Sequence, residues 1–476
     1  MDSFSIWAIV IAVLYVLGIL SAINAVMETR TSQGAIAWVL FLILFPYLSL
    51  PIYWIFGRNK FKGYMEVKNS SDLMVQKKIR EIASKIKPYR REEWEHSGIG
   101  KATEQLSLFP YLNGNSVELL VDGEDTFESI IEGLDAAKTY ICFQFYILKD
   151  DALGLKMQEH LIAKAKEGVS VYVLFDEMGS FSLSASYKNR FKEAGVKVYA
   201  FNTRKGKGNY FQINFRNHRK VVVVDGKTAW IGGHNIGDEY LGKDPKVGNW
   251  RDTHVKIEGP SALAAQLSFV EDWYWATGSE LRGISWDPET RENENKEVMV
   301  VPSGPADALE TASLMFHHAI NEAKERIWIA TPYFVPDDAI LAALQLAALR
   351  GVDVRILTPD KSDNMLVNLA SYSYVEDVGK IGVRFFRYSN GFLHQKVLLV
   401  DDYISMVGTA NFDNRSFRLN FEITAVIEDR SFATEVEEML KNDFAHASEM
   451  TKEDIEKRSF GFKLAIRLAR LTAPVQ

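Results

Sequence analysis

Two copies of one short pattern lie far apart in this chain. The first is His218-Arg219-Lys220, four valines and Asp225; the second is His394-Gln395-Lys396, Val-Leu-Leu-Val and Asp401. The histidines are 394 − 218 = 176 residues apart. The surroundings repeat as well. A strand-like run at 139–148 leads through a helical pattern to a Gly-Val strand at 167–176, and a run at 327–334 leads the same way to 350–359. The first Gly-Val pairs are 351 − 168 = 183 residues apart, close to the histidine offset. Each copy then passes a further Gly-Val strand, at 195–199 and 382–386, before reaching its histidine. A chain so patterned is expected to fold as two copies of one α/β unit, with mixed sheets flanked by helices.

Strand side chains alternate faces, so a His and a Lys two residues apart point the same way. An imidazole beside an ammonium suits attack on phosphate, because nitrogen attacks phosphorus while the lysine holds the oxygens. Asp225 and Asp401 have the opposite parity and sit at turns, so they are expected to brace the motif rather than touch substrate. A small-residue segment ending in Asn follows each motif: Gly232-Gly-His-Asn235 and Gly408-Thr-Ala-Asn411. Both asparagines stand 17 residues after their histidine (235 − 218 and 411 − 394). Glycine allows close backbone approach, and the amide can donate to a phosphate oxygen.

The N-terminal region is of another kind. Residues 3–27 and 31–57 carry no charge, and only Glu28 and Arg30 bring charge between them. Each run is long enough to cross about 30 Å of hydrocarbon, so residues 1–62 are expected to form a transmembrane helical hairpin. Pro46 and Pro51 allow the second run to kink or re-enter. The start has Asp2, no positive charge and no small-x-small cleavage site after it, so a cleaved leader is not expected. The segment 63–106 is basic, with Lys68, Lys77, Lys78, Arg80, Lys85, Lys87, Arg90 and Arg91, and Arg58, Lys60 and Lys62 precede it. The positive-inside rule puts this flank and the rest of the chain in the cytoplasm, where the flank would also attract anionic lipid. The two α/β domains are expected at 107–290 and 291–450, joined through the polar stretch 279–297. Residues 451–476 follow, with Lys463, Arg467 and Arg470 spaced as on a basic amphipathic interfacial helix.

The rest of the composition narrows the chemistry. A net charge of −7 argues against nucleic acid as a partner. The single cysteine, Cys142, sits in an apolar run and is expected to be buried and inert. The remaining histidines form no metal-ligand cluster, so neither metal nor cofactor is expected for the chemistry. Tyr146 and Tyr333 each follow the first strand of a repeat and suit either a lipid entrance or the core. No feature sets the oligomeric state; a homodimer is compatible.

These motifs, with Asn235–Gly242, Trp250–His254, Thr331–Asp337 and Gly408–Glu422, resemble the phospholipase D superfamily and, within it, the bacterial cardiolipin synthases. His234 departs from the pattern, in which Met is usual. The resemblance covers nearly the whole chain. It implies a bacterial plasma-membrane enzyme, multi-pass at its N-terminus, that transfers a phosphatidyl group from one phosphatidylglycerol to another and gives cardiolipin and glycerol. It implies a covalent phosphatidyl-histidine, with His218 as nucleophile and His394 as general acid and then base. It also implies that Asp252 and Glu422 orient the imidazoles and that Arg415 and Ser416 support the second motif. Water or another alcohol as acceptor is the alternative that the motifs leave open.

Overall fold

The computed structural model describes residues 3–57, 60–61, 63–65, 81–91, 99–107, 109–202, 204, 214–245, 247–291 and 294–476. The basic residues Arg58, Lys62, Lys68, Lys77, Lys78 and Arg80 lie outside the described residues.

Each half is an α/β unit with three parallel strands continued by antiparallel ones. In the first, Tyr140–Phe145 pairs in parallel with Ser170–Asp176, which pairs in parallel with Lys197–Phe201. On its other side Tyr140–Phe145 meets Val221–Val224, followed by Thr228–Gly232, Thr253–Glu258 and Leu112–Val121, all antiparallel. The second half repeats this order: Arg384–Tyr388, Asp353–Pro359, Arg326–Ala330, Val397–Val400, Ile404–Gly408, Asn420–Glu428 and Lys296–Ser303. The parallel strands are hydrophobic along their length because helices cover both faces; Val173, Ile356 and Leu357 are fully buried.

The two sheets are continuous. Leu112–Val121 pairs antiparallel with Lys296–Ser303, so the duplicated units share one sheet across the seam. The seam is what lets one domain reach into the other's site.

The N-terminal region differs from the expected pair of long helices. Helix α1 (Ser3–Glu28) is the one helix, among the described residues, long and apolar enough to cross a membrane. The second apolar run breaks into α2 (Ser32–Leu44) and α3 (Pro46–Phe56). Proline has no N–H and stands in the first turn of α3, so the break falls just before it. The second run thus takes the broken form that its prolines allow.

The C-terminal helix Phe460–Arg470 forms, and one of its faces is docked on the protein. Ile466 and Ala469 are buried, Phe462 meets Tyr372 edge-on, and Arg467 and Arg470 pair with Glu376 and Asp377 of the helix Met365–Val378. The basic residues thus face carboxylates. A second stripe, Phe460, Leu464, Leu468 and Leu471, stays exposed.

Candidate active site

The two motifs are placed by short parallel pairings that cross the seam. Arg216–Asn217 pairs with Asn420–Phe421, and the His218 N–H donates to the Phe421 carbonyl at 2.9 Å. Phe392–Leu393 pairs with Trp250–Arg251, and the His394 N–H donates to the Arg251 carbonyl at 2.8 Å. On each partner segment the next residue is an acid, Glu422 in one case and Asp252 in the other.

Each acid holds the other domain's histidine. His218 Nδ1 lies 2.9 and 3.1 Å from the Glu422 oxygens, and His394 Nδ1 lies 2.8 Å from Asp252 Oδ2. A carboxylate on Nδ1 fixes the proton there and leaves Nε2 its lone pair. Both acids are fully buried and further bonded. Glu422 accepts from Thr409 Oγ1 at 2.6 Å and Asn420 Nδ2 at 3.1 Å; Asp252 accepts from Trp250 Nε1 at 3.2 Å and the Thr253 N–H at 2.9 Å.

The lysines complete the cluster. Lys220 Nζ donates to the His218 carbonyl at 2.7 Å and lies over the Tyr146 ring. Lys396 Nζ stands 2.8 Å from Nδ1 and 3.2 Å from Nε2 of His394. Burial draws both lysines below the usual ammonium range, Lys396 to about 8. Burial also lowers both histidines to about 4, with the Lys396 charge adding to the effect at His394. The acids go the other way. Burial opposes their ionisation, but Lys396, His234 and the His394 bond hold Asp252 well below the carboxylate range, and His218, Lys220 and Thr409 lower Glu422. Neutral imidazoles beside ionised acids are the state a nitrogen nucleophile needs.

Asp225 and Asp401 take the left-handed conformation, with φ of 54° and 53°. Asp225 accepts from the N–H groups of Lys138, Thr139 and Tyr140 at 2.8–2.9 Å. Asp401 accepts from those of Lys324, Glu325 and Arg326 at 2.8–3.1 Å. Each thereby ties the end of its motif strand to the start of the neighbouring parallel strand. Asn235 Oδ1 accepts from the Ile147 N–H at 3.1 Å, and its Nδ2 donates to Tyr240. The Asn411 N–H donates to Ser416 Oγ at 3.1 Å, and buried Asn411 Oδ1 has no protein partner. Arg415 donates to Asn214 Oδ1 at 3.0 Å, and its own N–H to the carbonyl of Gln476.

Asp272 and Asp443 carried no signal of their own in the sequence, whereas Tyr146 and Tyr333 did. Of the two tyrosines, Tyr146 packs edge-on against His218 at 5.0 Å, whereas Tyr333 bonds to Asp363. Trp250 packs against His394 at 4.9 Å, so the two histidines have different aromatic neighbours. The middle residues of the motifs point away from their histidines. Arg219 binds Asp272 at 2.9 Å and Gln395 binds Asp443 at 2.7 Å, two buried acids on the helices Ala262–Thr277 and Arg430–Ala445. His234 is buried 3.0 Å from His254 Nδ1. Cys142 is buried, which pushes its thiol up. Among the described residues no group of three or more His, Cys, Asp or Glu converges as a metal site.

The family described as "Cardiolipin synthase, PLD-like domain" matches residues 130–267 and 316–444, and the family "Phospholipase_D-nuclease N-terminal" matches 13–58. The chain is 47% identical to cardiolipin synthase A of Pseudomonas fluorescens over 100% of both chains. It is 46% identical to cardiolipin synthase A of Pseudomonas putida over 98% of this chain and 97% of that one. Among solved structures, a phosphatidylserine synthase of Haemophilus influenzae superimposes with a TM-score of 0.60 at 16% identity, over 80% of this chain and 100% of that one, which supports the fold. With both motifs intact and relatives this similar along their full length, the chain belongs to the phospholipase D superfamily and, within it, to the bacterial cardiolipin synthase family.

Proposed function

We infer that this protein makes cardiolipin by transferring a phosphatidyl group from one phosphatidylglycerol to a second. The observation that carries this reading is the reciprocal pairing of His218 with Glu422 and His394 with Asp252, which makes one site from two domains. In the proposed sequence, His218 Nε2 attacks the phosphorus of the first lipid. The bond to the glycerol oxygen breaks, and His394 gives that oxygen a proton. The phosphatidyl group is then held on His218. The terminal hydroxyl of the second phosphatidylglycerol loses its proton to His394 and attacks phosphorus, and the P–N bond breaks. Cardiolipin and glycerol leave with bond types conserved, so no nucleotide is required.

Protein residues supply the electrostatics. Lys220 and Lys396, with Asn235 and Asn411, offer donors to the phosphate oxygens. Asp252 supports the imidazolium that His394 must become. The negative charge of a bound phosphodiester offsets the Lys396 charge that otherwise disfavours that protonation. Arg415 and Ser416 brace the second motif. The basic flank and the apolar N-terminus support attachment to a bacterial plasma membrane with the catalytic domains in the cytoplasm, where anionic lipid is both surface and substrate.

The test is mass spectrometry of lipids after incubating purified protein with phosphatidylglycerol liposomes, beside His218→Ala and His394→Ala. Cardiolipin from the wild type and none from either variant is expected. Phosphatidic acid in its place would make water the acceptor and overturn the assigned reaction.

A further inference from the structure

The anchor's packing sets its own depth. Helix α1 has 26 residues and so spans about 39 Å, enough for the hydrocarbon core. Helices α2 and α3 have 13 and 11 residues, about 20 and 17 Å, and neither crosses alone. Their apex lies against the middle of α1: a Cβ on Gly18 would meet the Leu42 carbonyl at 2.7 Å and Pro46 Cβ at 3.2 Å. From there α3 runs back beside the C-terminal half of α1. Trp54 Nε1 donates to Ser21 Oγ at 3.4 Å, and the Tyr53 hydroxyl donates to Asn24 Oδ1 at 2.8 Å. Gly18 is ten residues from Glu28, about 15 Å along the helix, or half the hydrocarbon core. The outer part of α1, with Phe4, Trp7 and Ile11 exposed, extends past this apex.

Both ends of the α2–α3 segment are fixed to the catalytic domains. Before α2, Arg30 Nε pairs with Glu310 at 2.9 Å, and Arg418 of the second domain pairs with the same carboxylate. After α3, Phe61 is fully buried; its N–H donates to the Pro305 carbonyl, and its ring stacks on Phe215 at 5.2 Å. A segment whose two ends meet one body must leave and return on one side. Its break is also tolerable in lipid. Phe45 N–H donates to Phe41, its carbonyl accepts from Leu48 and Ser49, and Pro46 has no N–H to leave unpaired.

We propose that the anchor crosses the bilayer once, through α1, while α2 and α3 form a re-entrant hairpin. The hairpin dips into, and returns from, the leaflet that faces the catalytic domains. Its partner is the acyl-chain layer of that leaflet, and the Ser3 end of α1 lies on the opposite side. The charges agree: residues 3–27 carry no basic side chain, whereas Arg30, Lys60 and the flank that follows are basic.

Cysteine accessibility in the full-length protein tests this arrangement without reference to the reaction. Ser3→Cys, Gln33→Cys and Lys166→Cys are made singly, with wild type as the control for buried Cys142. Spheroplasts and inverted vesicles are treated with a membrane-impermeant maleimide, and monodisperse elution in detergent checks folding. The expected result is that Gln33→Cys and Lys166→Cys label from one face and Ser3→Cys from the other. A hairpin of two full spans would put Ser3→Cys with Lys166→Cys and Gln33→Cys opposite. That pattern, or all three on one face, would overturn the proposal.

Discussion

His218, in the first domain, is held at 2.9 Å by the carboxylate of Glu422, in the second. The carboxylate has no freedom to move aside, because Thr409 and Asn420 bind the same two oxygens. Replacing Glu422 with Gln keeps the shape but can turn an amide N–H toward Nδ1. The imidazole proton then shifts to Nε2, the atom that must attack phosphorus. We expect Glu422→Gln to lower kcat by on the order of 10²–10⁴-fold with an unchanged elution profile, as for other acid-oriented histidines. A loss of less than about tenfold, read from the rate of lipid product formation, would remove Glu422 from the mechanism.

With His394 protonated in the substrate complex, where the bound phosphodiester favours its charge, the rate should depend on pH through two further groups. His218 must be neutral to attack, and burial lowers it to about 4, so kcat/KM should rise through that region. Lys396 must be charged to hold phosphate, and burial lowers it to about 8, so the rate should fall as pH passes that value. Lys396→Arg keeps its charge throughout this range. In that variant the alkaline fall should move up or vanish, at a lower maximal rate. An alkaline limb still near 8 would assign it to another group.

The duplication and both motifs were legible because each rests on a spacing that occurs twice, whereas the orienting acids Asp252 and Glu422 came only through the family resemblance. His218 and His394 have matched Asn residues, and a second copy turns a common short pattern into a constraint. What was not legible depends on contacts between distant segments. Nothing local marks Asp272 or Asp443 as the acid beneath a motif, since a lone Asp in a helical pattern reads as an exposed face. Pro46 marked where the second apolar run could break, but the place of that break against Gly18 of α1 was not legible. The C-terminal helix carries two apolar stripes, and its pattern alone did not tell which one packs on the protein. Repeat position marked Tyr146 and Tyr333 alike, and only their contacts separate them: Tyr146 packs on His218 while Tyr333 bonds to Asp363.

Stability should fall on mild acidification. His218, His394 and His234 titrate near 4 when folded, against about 6.5 when unfolded. Between those values the unfolded chain binds more protons, so stability is full above about 6.5 and is lost as pH falls toward 4. Asp176 and Asp413, raised by burial to about 6, act in the opposite sense, so the variant is compared with the wild type at each pH. Burial and the neighbouring His234 also hold His254 well below its usual value, so His234→Met removes one of four such histidines and should flatten the fall in Tm between pH 7 and 5. Parallel curves for the two proteins would show that His234 takes no part.

The buried acids beneath the motifs should matter more for folding than their distance from the chemistry suggests. Asp272 accepts from Gln144, Asn217 and Arg219 at 2.7–2.9 Å and from Tyr64 at 3.1 Å. Asp443 holds Arg251 through two bonds of 2.7 and 2.8 Å and also binds Gln395. Removing Asp272 leaves the Arg219 guanidinium buried without its carboxylate, which typically costs about 3–5 kcal/mol, and removing Asp443 leaves Arg251 only Asp122, at 3.1 Å. We therefore expect Asp272→Ala and Asp443→Ala each to lower Tm by several degrees. The consequences should differ by domain. Asp272→Ala loosens Arg219 and so disturbs His218, while Asp443→Ala loosens Arg251, whose carbonyl holds the His394 N–H. If His218 carries the phosphatidyl group, Asp443→Ala should still form the covalent lipid adduct while resolving it slowly, and Asp272→Ala should form it slowly. Acid-quenched mass spectrometry of the intact protein reads this difference, and equal adduct levels in the two variants would contradict the division of roles.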